Sequence, residues 1–193
     1  MNPAESDVPA PSPELWKPAL LRAAAALVFG AVTVFWAAPS LAGMSLAGGA
    51  YLLVSGLILL WGIPFTGFLR DSPAGRVLSV AGAPLTGAGV ALLFLQGSLV
   101  FAVLAALGLA AAAVAEVLLG IRFRGRHVLA RDWLTSGIIG LGTACTLPFF
   151  VGLGPHALLG VAGGGAIISG VLWILAGLSL RHDARAGASK AVN

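Results

Sequence analysis

Six unbroken apolar runs of about 20 residues each dominate this chain, and a run of that length is what it takes to cross a lipid bilayer as a helix. They extend from Pro18 to Ala38, Leu41 to Ile63, Val77 to Leu95, Ser98 to Ile121, Trp133 to Val151 and His156 to Leu180. At 1.5 Å per residue, each covers the ~30 Å of hydrocarbon in a typical membrane. Hydrocarbon offers no partner for a backbone N–H or C=O, so only helices and closed barrels can span it. A barrel would alternate polar and apolar residues over strands of about ten, and these runs do not alternate. The sequence therefore predicts an all-α integral membrane fold. Charged residues make up only 9% of the chain, where soluble domains carry about 25%, and mean hydropathy is +0.99.

The eleven lysines and arginines give a net charge of +4, yet they do not form a nucleic-acid surface, because they are confined to alternate connections. Lys17 and Arg22 lead into the first run. Arg70 and Arg76 separate the second from the third; Arg122, Arg124, Arg126 and Arg131 separate the fourth from the fifth; and Arg181, Arg185 and Lys190 follow the sixth. The connections at 38–40, 96–98 and 152–155 carry no charge. Cations remain on the cytoplasmic side of a membrane, so both termini are expected inside, in a bacterial plasma membrane. Ser40-Leu41-Ala42 looks like a signal-peptide cleavage site, but the acidic segment before the first run and that run's length favour a retained helix.

Residues 1–17 hold four of the eleven prolines together with Glu5, Asp7 and Glu14, a composition expected to form a disordered tail. Residues 18–181 form the membrane domain and 182–193 a second tail. Within the domain, three tandem helical hairpins are expected at 18–63, 77–121 and 133–180. Each hairpin carries a glycine pair: Gly30 with Gly49, Gly89 with Gly108, and Gly142 with Gly163. The even-numbered runs repeat small residues seven apart, as in Gly49 and Gly56, Gly108 and Ala115, and Gly163 and Gly170. That spacing keeps one narrow stripe facing a neighbour, so the even helices are expected to pack closely at left-handed crossings. Gly160 and Gly164 form a GxxxG pair, read first as packing within the monomer and second as a self-association face.

The segment LLRAAAALVFGAVTVFWAAPSLAGMSLAGGAYLLVSGLILL resembles the repeat of the HdeD family of small bacterial membrane proteins. It shares an arginine-led first helix, Phe-Gly, a tryptophan before the turn and a Gly-Ala-Tyr-Leu-Leu-Val-x-Gly second helix. The resemblance covers roughly residues 18–181 and implies an association with acid-stress resistance. The family commonly has an acidic residue before the glycine of the second helix, whereas Ser55 and Ser169 stand there in this chain.

Among the seven acidic residues only Glu116 falls inside a run, and an ionisable group in that position is a functional candidate. Gly108, Ala112 and Glu116 recur every four residues, so the carboxylate shares the small-residue face of its helix. It lies six residues before Arg122, about 9 Å along the axis. A pair with Arg70, Arg76, Arg122 or Arg124 is therefore expected ahead of a proton relay. His127 is placed in a cytoplasmic connection, His182 just past the last run, and His156 at the outer start of the sixth, where it could sense external acid. The hydroxyls of Ser55, Ser169, Thr33, Thr86, Thr143 and Thr146 are read as helix-packing groups and the tryptophans as interfacial anchors.

The stretch Arg122-Phe123-Arg124-Gly125-Arg126 could attract anionic headgroups, although topology accounts for it too. Cys145 stands alone, and there is no CxxC, metal-ligand or P-loop pattern. No metal or cofactor is expected. The expected partners are the lipid bilayer and either a second copy or another membrane protein. The reading is of a non-enzymatic membrane protein, with a small transporter or proton channel using Glu116, or an accessory subunit, as its rivals.

Overall fold

The computed structural model describes residues 10–190, with side chains through 187. Six helices follow one another: α1 (Trp16–Phe35), α2 (Leu41–Gly62), α3 (Pro73–Phe94), α4 (Ser98–Arg122), α5 (Ala130–Thr146) and α6 (Pro155–Lys190). All six runs, with 3₁₀ extensions at Ile63–Thr66 and Leu147–Leu153, are long and apolar enough to cross a membrane.

Local chemistry sets the boundaries. The Ser40 and Ser72 hydroxyls accept from the N–H groups of Gly43 (3.0 Å) and Gly75 (3.1 Å), satisfying first-turn donors of α2 and α3. Pro73 then opens α3, at a position where its missing N–H costs nothing. Gly67 takes a left-handed φ of 86° to close the first 3₁₀ turn.

Within the described residues, part of each expected tail is structured. The Ser12 N–H donates to Phe65 O (2.9 Å) and Leu15 is buried, so the segment before α1 is folded against the α2–α3 connection. At the other end α6 runs on to Lys190. Residues 1–9 and 191–193 lie outside the described residues.

The helices close into a ring. α1 packs most extensively on α6, α2 on α3, and α4 on α5, with α3 on α4 next. The first three join different hairpins; within hairpins α3–α4 is close, while α1–α2 and α5–α6 touch less. The neighbour that meets the seven-residue glycine stripe of each even helix is an odd helix. A Cβ on Gly49 would stand 3.0 Å from Gly89 O on α3, and one on Gly56 would stand 2.7 Å from Thr86 N. On α4, a Cβ at Gly108 would lie 3.2 Å from Ala88 Cβ. On α6, Gly163 faces Thr33 and Gly170 faces Leu27, both on α1. Gly160 and Gly164 differ: nothing lies within 4 Å of a Cβ at either, so this pair faces outward instead of packing inside the monomer.

Two apolar cores fill the ring, one towards each end. Towards the uncharged connections lie Phe29, Met44, Leu92, Phe101, Leu147 and Leu158; towards the cation-bearing end lie Leu15, Ile63, Leu78, Leu119, Trp133 and Trp173.

Candidate functional site

A polar layer separates these two cores. α4 contributes Ala112 to one core and Leu119 to the other, with Glu116 between; on α1, Arg22 stands between Ala19 and Ala23 of the cation-end core, one turn before Ala26 of the other, and reaches Glu116 at the boundary. By the same spacing Ser55 falls between Leu52 and Ile63, Ser136 between Trp133 and Leu147, and Ser169 between Ala166 and Trp173. Five helices therefore bring a polar side chain to one depth. These groups line a cavity of about 50 Å³, completed by Tyr51 and Trp173. At ~10–15 Å³ of such space per molecule, it has room for about three to five waters.

Glu116 is 1% exposed and forms an ion pair with Arg22, the Nη2 group donating to Oε1. That oxygen has no other partner in the protein. The arginines expected to pair with Glu116 lie elsewhere; Arg70, for instance, donates to Leu60 O (3.3 Å). Arg22 is not a flanking charge but sits six residues inside α1, as Glu116 sits six residues from the end of α4, and this equal depth brings them together. The guanidinium lies 4.5 Å from the Trp173 ring centroid. The indole N–H of Trp173 donates to Ser136 Oγ (3.1 Å), which fixes the ring under the cation. Tyr51 stacks on Phe29 with centroids 4.3 Å apart and interacts with Ser55 one turn along α2. A second cavity of about 40 Å³ lies nearer the cation-bearing end, and Arg22 and Trp173 line both.

The hydroxyls of Thr33, Thr86, Thr143 and Thr146 donate to carbonyls of their own helices, as expected for packing groups. His156, the second residue of α6, is exposed, and so is His182.

His127 is the residue whose setting the sequence conceals. Although it lies in the α4–α5 connection, it is buried, stacked between Trp133 (4.7 Å) and Phe68 (5.3 Å) with Phe123 at its edge. Its Nδ1 accepts from the N–H of Leu129 (3.1 Å). The proton of the neutral ring is therefore on Nε2, which donates to Thr66 O (3.0 Å). One imidazole thus ties the α2–α3 connection to the α4–α5 connection. Burial pushes its pKa below the ordinary 6.5, with the Thr66 bond opposing in part. The neutral form contributes stability that is fully present above the unfolded pKa of about 6.5 and is lost as pH falls through that value towards the lower folded one. Stability measured in detergent between pH 7 and 5 is expected to fall, and the slope is expected to flatten in His127→Gln. An unchanged slope would assign the effect to other groups.

Fold and site together define the architecture of a multi-pass membrane protein: a ring of six potential spans around a buried arginine–glutamate pair. Comparison with protein-family models, curated proteins and solved structures gives no match to this chain.

Proposed function

We propose that this chain is a non-enzymatic protein of the HdeD type in a bacterial plasma membrane, with both termini cytoplasmic, contributing to tolerance of acid or envelope stress. The observation that carries the reading is the Arg22–Glu116 pair, set in a water-sized cavity and closed off on the uncharged side by the Met44, Leu92, Phe101, Leu147 and Leu158 core. Ligand pockets usually measure about 300–1,000 Å³, so a cavity of about 50 Å³ favours protons and water over an organic substrate. Two of its hydroxyls are engaged by neighbours: Ser136 accepts from Trp173 and Ser55 interacts with Tyr51. Among the described residues, the charged groups of the cavity are this pair alone. Protonating Glu116 removes the partner of Arg22 and favours a different arrangement of α1 and α4, a response to acid that requires no turnover.

The apolar outer core gives less support to the rival reading, a proton channel through Glu116, because conduction needs a polar path on both sides of the carboxylate. The segregated cations support the inward orientation.

One set of strains tests both parts. A deletion strain should survive acid challenge less well, recovering with the unmodified gene but not with Glu116→Gln present at the same membrane level. In the same cells Gln96→Cys, in a Cys145→Ser background, should react with an impermeant thiol reagent added outside. Equal survival with and without the gene removes the stress role. Labelling only after lysis reverses the orientation.

A further inference from the structure

A groove of about 600 Å³ runs along the lipid-facing surface between α3 and α4. Its floor is laid by single methyl groups, those of Ala81, Ala111 and Ala115, while Val80, Leu107 and Leu118 stand up along it, 71%, 63% and 55% exposed. α3 and α4 approach closely where Gly108 meets Leu85 and Ala88, and the alanines hold the trough open from there towards the basic end. From Leu107 to Leu118 it spans eleven residues, about 16 Å, which is half the thickness of a bilayer's hydrocarbon and so the depth of one leaflet.

Two cations stand at its mouth. Arg76 lines the groove directly, and Arg122 lies one turn beyond Leu118 on the same face of α4. Among the described residues the ion pairs are Lys17–Glu14 and Arg22–Glu116, so neither mouth arginine is held by a carboxylate. The Arg122 guanidinium lies at 6.0 Å from the Phe123 ring.

The molecule supplies its own contrast. A similar groove of about 480 Å³ lies between α1 and α2, floored by Ala24, Ala47 and Ala50. The cation one turn beyond its Leu21 is Lys17, and Glu14 neutralises it at 2.6 Å. Two troughs of one shape thus differ in charge at the headgroup level.

We infer that the α3–α4 groove is a binding site for an anionic phospholipid, one acyl chain lying on the alanine floor and the phosphate held between Arg76 and Arg122. The α1–α2 groove accepts acyl chains without regard to headgroup. This rests on the membrane reading but not on the stress role. It is tested on purified protein, so either can fail without the other.

The experiment is native mass spectrometry of the full chain released from membranes of mixed phosphatidylglycerol and phosphatidylethanolamine. One phosphatidylglycerol should be retained with about a 25-fold preference, about fivefold for each arginine. Arg76→Gln/Arg122→Gln should abolish the preference. Ala111→Phe, which fills the floor and leaves both cations in place, should lower retention of the lipid while helicity is unchanged. Arg124→Gln/Arg131→Gln, which removes as much charge from the same end, should change neither. Equal retention of the two lipids by the unmodified protein would overturn the assignment. So would an equal loss in the Arg124/Arg131 variant, or a lipid-free dimer showing that a second copy covers the groove.

Discussion

Replacing Arg22 with methionine is expected to destabilise the bundle by about 3–5 kcal/mol, the cost of leaving one member of a buried ion pair without the other. Glu116 is 1% exposed, its Oε1 has no partner but Arg22, and apolar residues of both cores flank it. Without Arg22 it cannot remain charged cheaply. The reverse change, Glu116→Leu, is expected to cost less. The Arg22 side chain is 21% exposed, rests on the Trp173 ring and has a long stem with which to carry its head towards the basic end. The double replacement Arg22→Met/Glu116→Leu should recover most of the lost stability and can exceed the parent, since well-packed apolar groups often replace a buried pair by ~1–4 kcal/mol in their favour.

Reversible unfolding in mixed micelles gives all four corners of this cycle. Additive single effects would mean that the two charges do not act on each other. The corner of most interest is the double variant. A stable protein that fails to restore acid survival would show that the pair is kept for its response to protons and not for holding the ring together. A stable variant that restores survival would remove the pair from the proposed function while leaving the fold intact.

The architecture was legible because hydrophobic length is a property of consecutive residues: each of the six runs is complete in itself and needs no knowledge of its neighbours. The site was half legible. Glu116 announces itself as the one carboxylate inside a run, but Arg22 is hidden among topology-determining cations, and its role depends on depth. Six residues in from the start of α1 and six back from the end of α4 are the same level in a bundle whose basic ends are aligned. His127 was illegible for another reason. Phe68 from the α2–α3 connection, Phe123 from the α4–α5 connection and Trp133 from the first turn of α5, which bury it, are brought together only by the closed ring. Glycine periodicity identified contact faces but not their partners. Gly163 and Gly170 repeat along one stripe of α6, while Gly160 and Gly164 lie about 60° and 100° around the helix from Gly163 at 3.6 residues per turn. Only one of these faces can meet α1, and the notch at Gly163, which receives Thr33, decides which.

That choice of face makes Gly163→Leu the second large effect, at or above about 3 kcal/mol, the upper end of ordinary overpacking costs. A Cβ at Gly163 would stand 2.7 Å from Thr33 Cβ and 2.9 Å from its Cγ2. Thr33 cannot turn aside without giving up the bond from its hydroxyl to Gly30 O (2.8 Å), in a hydrocarbon setting that offers few replacements. The strain therefore falls on the α1–α6 contact, the most extensive in the molecule and the one that closes the ring. Gly160→Leu, three residues away on the same helix, points into open space and should leave monomer stability within about 0.5 kcal/mol of the parent. Thr33→Ala should rescue part of a milder Gly163→Ala defect and none of a defect at Gly170, whose neighbours are Leu27 and Ala26. Comparable losses at Gly160 and Gly163 in micelle unfolding would contradict the ring closure through α1 and α6 on which the placement of Arg22 opposite Glu116 depends.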